Sequence, residues 1–569
     1  MNQPPEPRST LPIGPVLLLL WLVALVLATA GLGDLPLRDW DEGIVARVAL
    51  EASWSPWPER FLPSYWGEPY LNKPPGLHWL MAAGFELWRQ LGGHGLQELP
   101  PEWLVRLLPA LLSSLLVPLI GLLQLRLRPD ERTTAVCSAL IALTLLPLAR
   151  HGRLAMLDGV QLLAMVLVWW GLLLARRRRA TAAGLIAGLA GSGLLLLKAP
   201  VVLPVLASGL LLRLLDRDLR GRDWAWLGLG LALGLAPGLA WHGWHLLQRG
   251  DQALVMWGGQ GLSRLTSSVE NHGGGPIEPL VEVLEGGWPW LPLWPFGLAL
   301  AWRQRRGRAG RWSLGLSLAT ALMVLPLQTQ LPWYSLLLWP PFCLVCAPVL
   351  ASILSGKATG VLRRLPWFWG LLGLALLAFS LLILPTAPNL LPGLGAYRFL
   401  PLPAGLGLAG GALLLVQASS RRRRQGLLLL AAGWSVSLLL LFLSPLWIWE
   451  LNERWPVLPA AELARNAAAP GGARPLEIFM EGESGQRPSL RWYAGTAISA
   501  LPKQADGAIP ADFLLIRQEP SGLPAALLTD GTLCRLEAVA DQSWQRWRCS
   551  TKATDFGEFE ALEGFEAQP

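Results

Sequence analysis

Asp41 and Glu42 stand side by side just after the first strongly apolar run, and Lys73 follows in the turn Tyr70-Leu71-Asn72-Lys73-Pro74-Pro75. A carboxylate can take a proton from an attacking hydroxyl. A lysine is a compact point charge suited to a phosphate. Two plainer readings stay open. The stretch DEGIVARVAL reads as an amphipathic helix opening, where Asp39, Asp41 and Glu42 would simply favour the helix dipole. A lysine at headgroup depth also snorkels, although Pro74 and Pro75 restrict the backbone after Lys73.

Other candidates sit near the ends of apolar runs. Asp158 lies in LAMLDGVQLL, where a carboxylate faces a partner or a cavity by default; Arg150 and Arg153 are the nearest cations in sequence. Lys198 precedes Ala199-Pro200 and reads equally well as a snorkelling side chain or a cavity cation. A polar loop at residues 258–275 carries Gln260, Arg264, Glu270 and His272. Glu270 with His272 invites a divalent-metal reading that stays open beside the plainer one of a polar loop, since two ligating side chains alone do not make a centre. Tyr334, after Leu331-Pro332-Trp333, is an interface anchor or a donor into a cavity.

These residues hang between segments that must cross a membrane. Of 569 residues, 53% are hydrophobic and 15% charged, and runs of about 20 apolar residues, the length needed to span roughly 30 Å of hydrocarbon, recur through the first 450 positions. The pattern predicts about thirteen spans. The net charge of +8 is not a nucleic-acid footprint, because the arginines come in short bursts between apolar runs. The clusters near 126–132, 176–179, 213–222, 303–311, 357–364 and 421–424 are each separated from the next by two spans. Cytoplasmic loops attract such clusters. The N-terminus is therefore expected in the cytoplasm, with the loops at 34–101 and 248–287, the Lys198 turn and the C-terminal tail outside.

From residue 451 the composition becomes that of a soluble domain. Residues 476–480, 513–517 and 544–549 read as strands and 462–469 as a helix, which predicts a small mixed α/β extracytoplasmic domain over 451–569. Cys137, Cys343 and Cys346 lie in apolar runs as small core residues. Cys534 and Cys549 lie in the tail, where an oxidising compartment would allow them to pair.

In order and spacing the chain resembles the lipid A aminoarabinose transferases and the bacterial dolichyl-phosphate-mannose-protein mannosyltransferase-like proteins, of the GT-C glycosyltransferase class. The resemblance rests on Asp41-Glu42, on Glu68 through Pro75, on Arg106-Leu107-Leu108-Pro109 and on RLAMLD ending at Asp158. It continues with Lys198, with His272 and Pro276, and with Leu331-Pro332-Trp333-Tyr334. It implies inverting transfer of a sugar from a polyprenyl-phosphate donor to a lipid A-like glycolipid, another glycan or a protein. That reaction would take place at the outer face of the plasma (inner) membrane, as part of cell-envelope modification. By resemblance Asp41, with Glu42 and Asp158, supplies the catalytic carboxylates, and Lys73, Arg47 and Lys198 meet the donor phosphate. Tyr70, Asn72, Arg153, Gln260, His272 and Tyr334 line the cavity. Four positions depart from the family pattern. Asn72 stands for a Glu and Gln260 for a His, which weighs against the divalent metal those residues imply. Ile44 stands for an Arg, with Arg47 a turn later, and Gln330 stands for a Lys. A transporter or flippase of lipid-linked sugars and a noncatalytic envelope assembly protein are the alternatives. A transporter would show repeat symmetry and midplane charges, whereas the charged candidates here gather near span ends.

Overall fold

The computed structural model describes residues 12–96, 98–259, 263, 275–383, 397–449, 455–466, 476–480, 486–501, 512–518, 533–541 and 543–550. The chain divides into two compact units. The first comprises residues 1–35 and 48–450, the second residues 36–47 and 451–569.

The first unit is helical. Six helices among the described residues are long and apolar enough to cross a membrane: Glu102–Leu127, Leu157–Leu174, Ala180–Leu215, Gly221–Leu254, Pro332–Leu354 and Ser420–Phe442. The pair Arg132–Thr144 and Leu146–Gly152, bent by 62°, makes a seventh if it is one span; Pro147, second residue of its second half, accounts for the bend. Ile13–Thr29, Leu365–Leu381 and Pro401–Leu415 are shorter apolar helices. The stretch Ala180–Leu215 folds back on itself. Its first helix α9 (Ala180–Lys198) ends where Lys198 leaves helical geometry (φ −143, ψ 84), and α10 (Val202–Leu215) begins after one turn. Arg213, near the end of α10, donates to the carbonyl of Ala175 at 2.8 Å, five residues before α9 begins. An unbroken helix would separate those points by about 1.5 Å per residue, so Lys198 marks a real reversal.

Helix α9 packs on α11 (Gly221–Arg249) through glycines. A Cβ on Gly188 would lie 2.5 Å from the Leu231 carbonyl oxygen, and one on Gly234 would lie 2.6 Å from that of Leu185. Only small residues allow backbones this close.

The arginine-rich loops gather at one end of this unit. Arg128 bonds to Gln304. Arg213 reaches Asp216 at 3.1 Å and Asp218 at 2.5 Å, Arg308 reaches Asp216 at 3.1 Å, and Arg311 also pairs with Asp216. Arg423 donates to the Leu354 carbonyl at 2.8 Å. Helix α8 (Leu157–Leu174) joins this arginine end to the opposite one, because Ala175 lies beside Arg213 while Asp158 opens the helix.

The second unit holds a five-stranded sheet. Its strands are β3 (Glu477–Met480), β4 (Ser499–Ala500), β5 (Asp512–Gln518), β6 (Leu533–Ala540) and β7 (Trp544–Ser550), which follow β1 (Ser64–Tyr65) and β2 (Glu68–Pro69) of the first unit. The order is β4-β3-β5-β7-β6, with β3 parallel to both neighbours and the β5-β7-β6 side antiparallel. Phe479, Phe513, Leu515 and Cys549 form its core. Cys534 and Cys549 lie opposite each other in the β6–β7 register and are joined by a disulfide. The expected strands at 476–480, 513–517 and 544–549 are present, and the helix expected at 462–469 begins earlier (Val457–Arg465).

Candidate functional site

In the first unit the end opposite the arginines is built around two lysines. Lys198 Nζ lies 2.6 Å from Asp158 Oδ1, with the carboxylate buried and 17% of the lysine side chain exposed. The partner of Asp158 is thus Lys198, from forty positions away, and not Arg150 or Arg153. The antiparallel course of α8 and α9 makes the pair, and an apolar bundle requires it, since a carboxylate without its cation there would be costly. The ammonium also faces the Tyr334 ring at 5.9 Å, in the helical turn Pro332–Leu338.

The Lys73 turn is held at the same end by α3 (Gly76–Gly92), which follows it. A Cβ on Gly76 would lie 2.7 Å from the Leu196 carbonyl oxygen and 2.8 Å from Leu196 Cβ. The start of α3 therefore sits on the last turn of α9, two residues before Lys198. Lys73 is half-buried and Asn72 exposed. Tyr70 is buried, with its ring 5.8 Å from that of His78 and 6.4 Å from Tyr65. Burial pushes the His78 imidazole down to about 4, against the opposing pull of the Pro74 carbonyl, so His78 is neutral at ordinary pH.

Upstream of this turn, β1 (Ser64–Tyr65) and β2 (Glu68–Pro69) form a hairpin whose two loop residues, Trp66 (φ 55) and Gly67 (φ 80), both have positive φ. That geometry suits a hairpin turn but is uncommon for a bulky residue. Glu51 secures it. Its carboxylate accepts from Trp66 N at 2.6 Å, Gly67 N at 3.2 Å and Ser64 Oγ at 2.6 Å. Nearby, Phe61, Trp79, Trp241, Trp244, Leu196 and Pro237 line a cavity of about 700 Å³.

Three buried arginines brace the polypeptide at this end. Arg106 donates to the Leu32 and Leu35 carbonyls at 3.0 and 2.8 Å. Arg150 donates to the Trp447 carbonyl at 2.7 Å, and Arg153 to those of Leu27 and Ala30. The Trp447 ring faces the guanidinium groups of Arg106 at 5.5 Å and Arg153 at 4.4 Å. Gln330 is buried and donates to the Val324 and Leu327 carbonyls at 3.1 and 2.8 Å, closing the end of the preceding helix Arg308–Val324.

The second unit carries the other carboxylates. Glu42 is fully buried and accepts from Arg38 N at 2.6 Å. Asp41, the first residue of α2 (Asp41–Trp54), keeps 39% of its side chain exposed, with Arg38 3.7 Å away. Arg47 is half-buried. Asp39 is buried, pairs with Arg487 and accepts from Ser489 Oγ at 2.6 Å. Asp39, Glu51 and the carbonyl-binding roles of the arginines were not legible as functional features, because each depends on a partner distant in sequence. Gln260 and His272 lie outside the described residues. Among the described residues no group of three or more His, Cys, Asp or Glu could hold a metal ion.

Residues 82–241 match the family model "Dolichyl-phosphate-mannose-protein mannosyltransferase". No curated protein matches the chain. The fold is similar to that of ArnT from Cupriavidus metallidurans bound to undecaprenyl phosphate, with a TM-score of 0.68 at 19% identity over 94% of this chain and 98% of that one. The apo form of the same protein gives a TM-score of 0.69 at 18% identity, covering 95% and 98%. The likeness read from the sequence is borne out by both findings: a mannosyltransferase family model within the helical unit, and an ArnT-like fold along nearly the whole chain.

Proposed function

We propose that the chain is a multi-pass plasma-membrane glycosyltransferase that moves a sugar, with inversion, from a polyprenyl-phosphate carrier to an acceptor hydroxyl at the outer face. The observation that carries this reading is the fold shared with an ArnT bound to undecaprenyl phosphate. Residues 1–450 are assigned to the membrane-embedded catalytic domain and 451–569 to an extracytoplasmic one. The arginine end faces the anionic cytoplasmic leaflet, and the disulfide of the tail suits an oxidising compartment.

The chemistry needs three services. Asp41 takes the acceptor's proton as the acceptor oxygen bonds to the anomeric carbon; Glu42, spent on the Arg38 amide, leaves that task to its exposed neighbour. The bond from that carbon to the phosphate oxygen breaks, and its electron pair stays with the lipid phosphate. Lys73 and Lys198 neutralise that anion, with Arg47 as a further cation, and Asp158 holds the Lys198 ammonium in place at 2.6 Å. The aromatic cavity beside α3 and α9 takes the first isoprene units. Tyr70, Asn72, Arg153 and Tyr334 shape the surroundings.

Purified protein in lipid vesicles, given a panel of radiolabelled polyprenyl-phosphate sugars and candidate acceptors, is expected to consume one donor. Asp41→Asn should bind that donor and turn it over about 10² to 10⁴ times more slowly, the usual contribution of a general base. Equal turnover by both proteins would remove Asp41 from the mechanism, and no donor consumption by the wild type would remove the enzyme reading.

A further inference from the structure

Asp41 and Glu42 belong, by their contacts, to the same compact unit as the C-terminal residues, although more than four hundred positions separate them in sequence. The geometry of that unit explains the assignment. Asp39 is buried and held from two sides, by the Arg487 guanidinium and by Ser489 Oγ at 2.6 Å. Arg487 is itself steadied over the Trp455 ring at 4.6 Å. The Leu37 amide donates to Tyr493 Oη at 2.6 Å. Gly43 packs so closely on the start of the helix Pro488–Ala494 that a Cβ there would lie 2.5 Å from Ser489 N and 2.6 Å from the Pro488 carbonyl carbon.

Between the clamped Asp39 and the exposed Asp41 lies Trp40, in left-handed backbone geometry (φ 62) and with 43% of its surface exposed. A bulky residue adopts that conformation only where its surroundings over-determine it. Here the surroundings are explicit. Asp39 Oδ1 accepts from Trp40 N at 3.1 Å, Asp39 O accepts from Asp41 N at 3.0 Å, and Glu42 holds Arg38 N. The carboxylate of Asp39 therefore does two jobs: it is gripped by the Pro488–Ala494 helix and its approach, and it sets the bend from which Asp41 projects.

We propose that Asp39, Arg487 and Ser489 are positioning residues through which the C-terminal domain sets the orientation of the Asp41 carboxylate for proton transfer. This rests on the role assigned to Asp41 above. The C-terminal domain then has a catalytic purpose of its own: it supplies the mould for the segment that carries the base. An Asp39 freed from Arg487 and Ser489 lets Trp40 relax to ordinary backbone geometry, and Asp41 turns away from its working direction. A misplacement of about 1 Å at a reacting group costs on the order of 10²-fold in rate.

The test uses the full-length protein in vesicles. Arg487→Ala, with the milder Ser489→Ala in case the first folds poorly, is compared with the exchange Asp39→Arg/Arg487→Asp. Hydrogen exchange at residues 36–47 should quicken by about tenfold or more in Arg487→Ala, as expected for losing a charge-assisted tie, while amides of β5 and β7 keep their protection. In the same protein kcat should fall by roughly 10²-fold with donor KM and polyprenyl phosphate binding unchanged, and the charge exchange should restore part of both losses. Unchanged exchange at residues 36–47 in both single variants overturns the clamp. A loosened segment with undiminished kcat, in a protein where Asp41→Asn is inactive, overturns the positioning role alone. If Asp41→Asn is fully active, the assignment of the base fails while the exchange data still decide the clamp.

Discussion

Lys198 and Asp158 stood out in the sequence because each puts a charge into an apolar run, yet the bond between them did not. Arg150 and Arg153 are nearer in sequence, and it is the antiparallel course of α8 and α9 that brings the Lys198 ammonium to 2.6 Å from the carboxylate. The arginines instead serve backbone carbonyls and aromatic faces, a use that spacing does not disclose. The pair has two consequences that separate in a mutant cycle. Lys198→Met leaves Asp158 buried without its cation and should destabilise the protein by about 3 kcal/mol, near the low end for a broken buried pair. Adding Asp158→Leu should return most of that stability, because two apolar side chains replace two charges. Donor affinity should not return, since the phosphate still lacks its lysine. Unfolding curves and donor-binding isotherms for the two variants decide the matter. A double variant as unstable as the single would show that the pair does not set stability, and one that binds donor normally would remove Lys198 from the phosphate site.

Among the elements, the apolar helices were legible because their hydropathy is sustained, and their ends were marked by arginine, proline or lysine. The short elements were not. Strand β6, the helix Pro488–Ala494 and the Trp66-Gly67 turn carry weak local patterns, and each is fixed by partners elsewhere, as Glu51 fixes the turn. Helix α3 is an intermediate case: Pro74 and Pro75 marked the rigid turn before it, but nothing in the sequence foretold the helix's contact of Gly76 with Leu196. That contact sets the Lys73 turn beside Lys198, so its loss should act on the donor. Gly76→Ala places a methyl 2.7 Å from the Leu196 carbonyl oxygen, and the turn must move by several tenths of an ångström. Donor KM is expected to rise by about tenfold, a modest share of what ångström-scale misplacement costs. Gly84→Ala, on the same helix with nothing within 4 Å, should leave KM unchanged and add about 0.5 to 1 kcal/mol of helix stability. Equal KM values for wild type and Gly76→Ala would detach the α3–α9 contact from donor binding.

For the whole molecule, the periodic return of arginine clusters implied a two-ended bundle, and the side-chain ties support it. Arg128 with Gln304, Arg213 with Ala175, and Arg308 with Asp216 join loops from different helices at one end. Lys198, Asp158, Tyr334 and the Lys73 turn collect at the other. What the periodicity could not provide was the placement of Asp41, whose surroundings include residues from the far end of the chain. The two ends make orientation testable with thiol chemistry, because the native cysteines give little background. Cys137, Cys343 and Cys346 are buried, and Cys534 and Cys549 are bonded to each other. A single cysteine introduced by Asn72→Cys should react with a membrane-impermeant maleimide in intact cells. Arg305→Cys and Arg422→Cys, at exposed arginine-end positions, should react only once the inner face is opened. The reverse pattern would turn the protein over and put Lys73 on the side where the tail's disulfide would be reduced. Labelling of Asn72→Cys and Arg305→Cys from the same side would break the two-ended bundle itself.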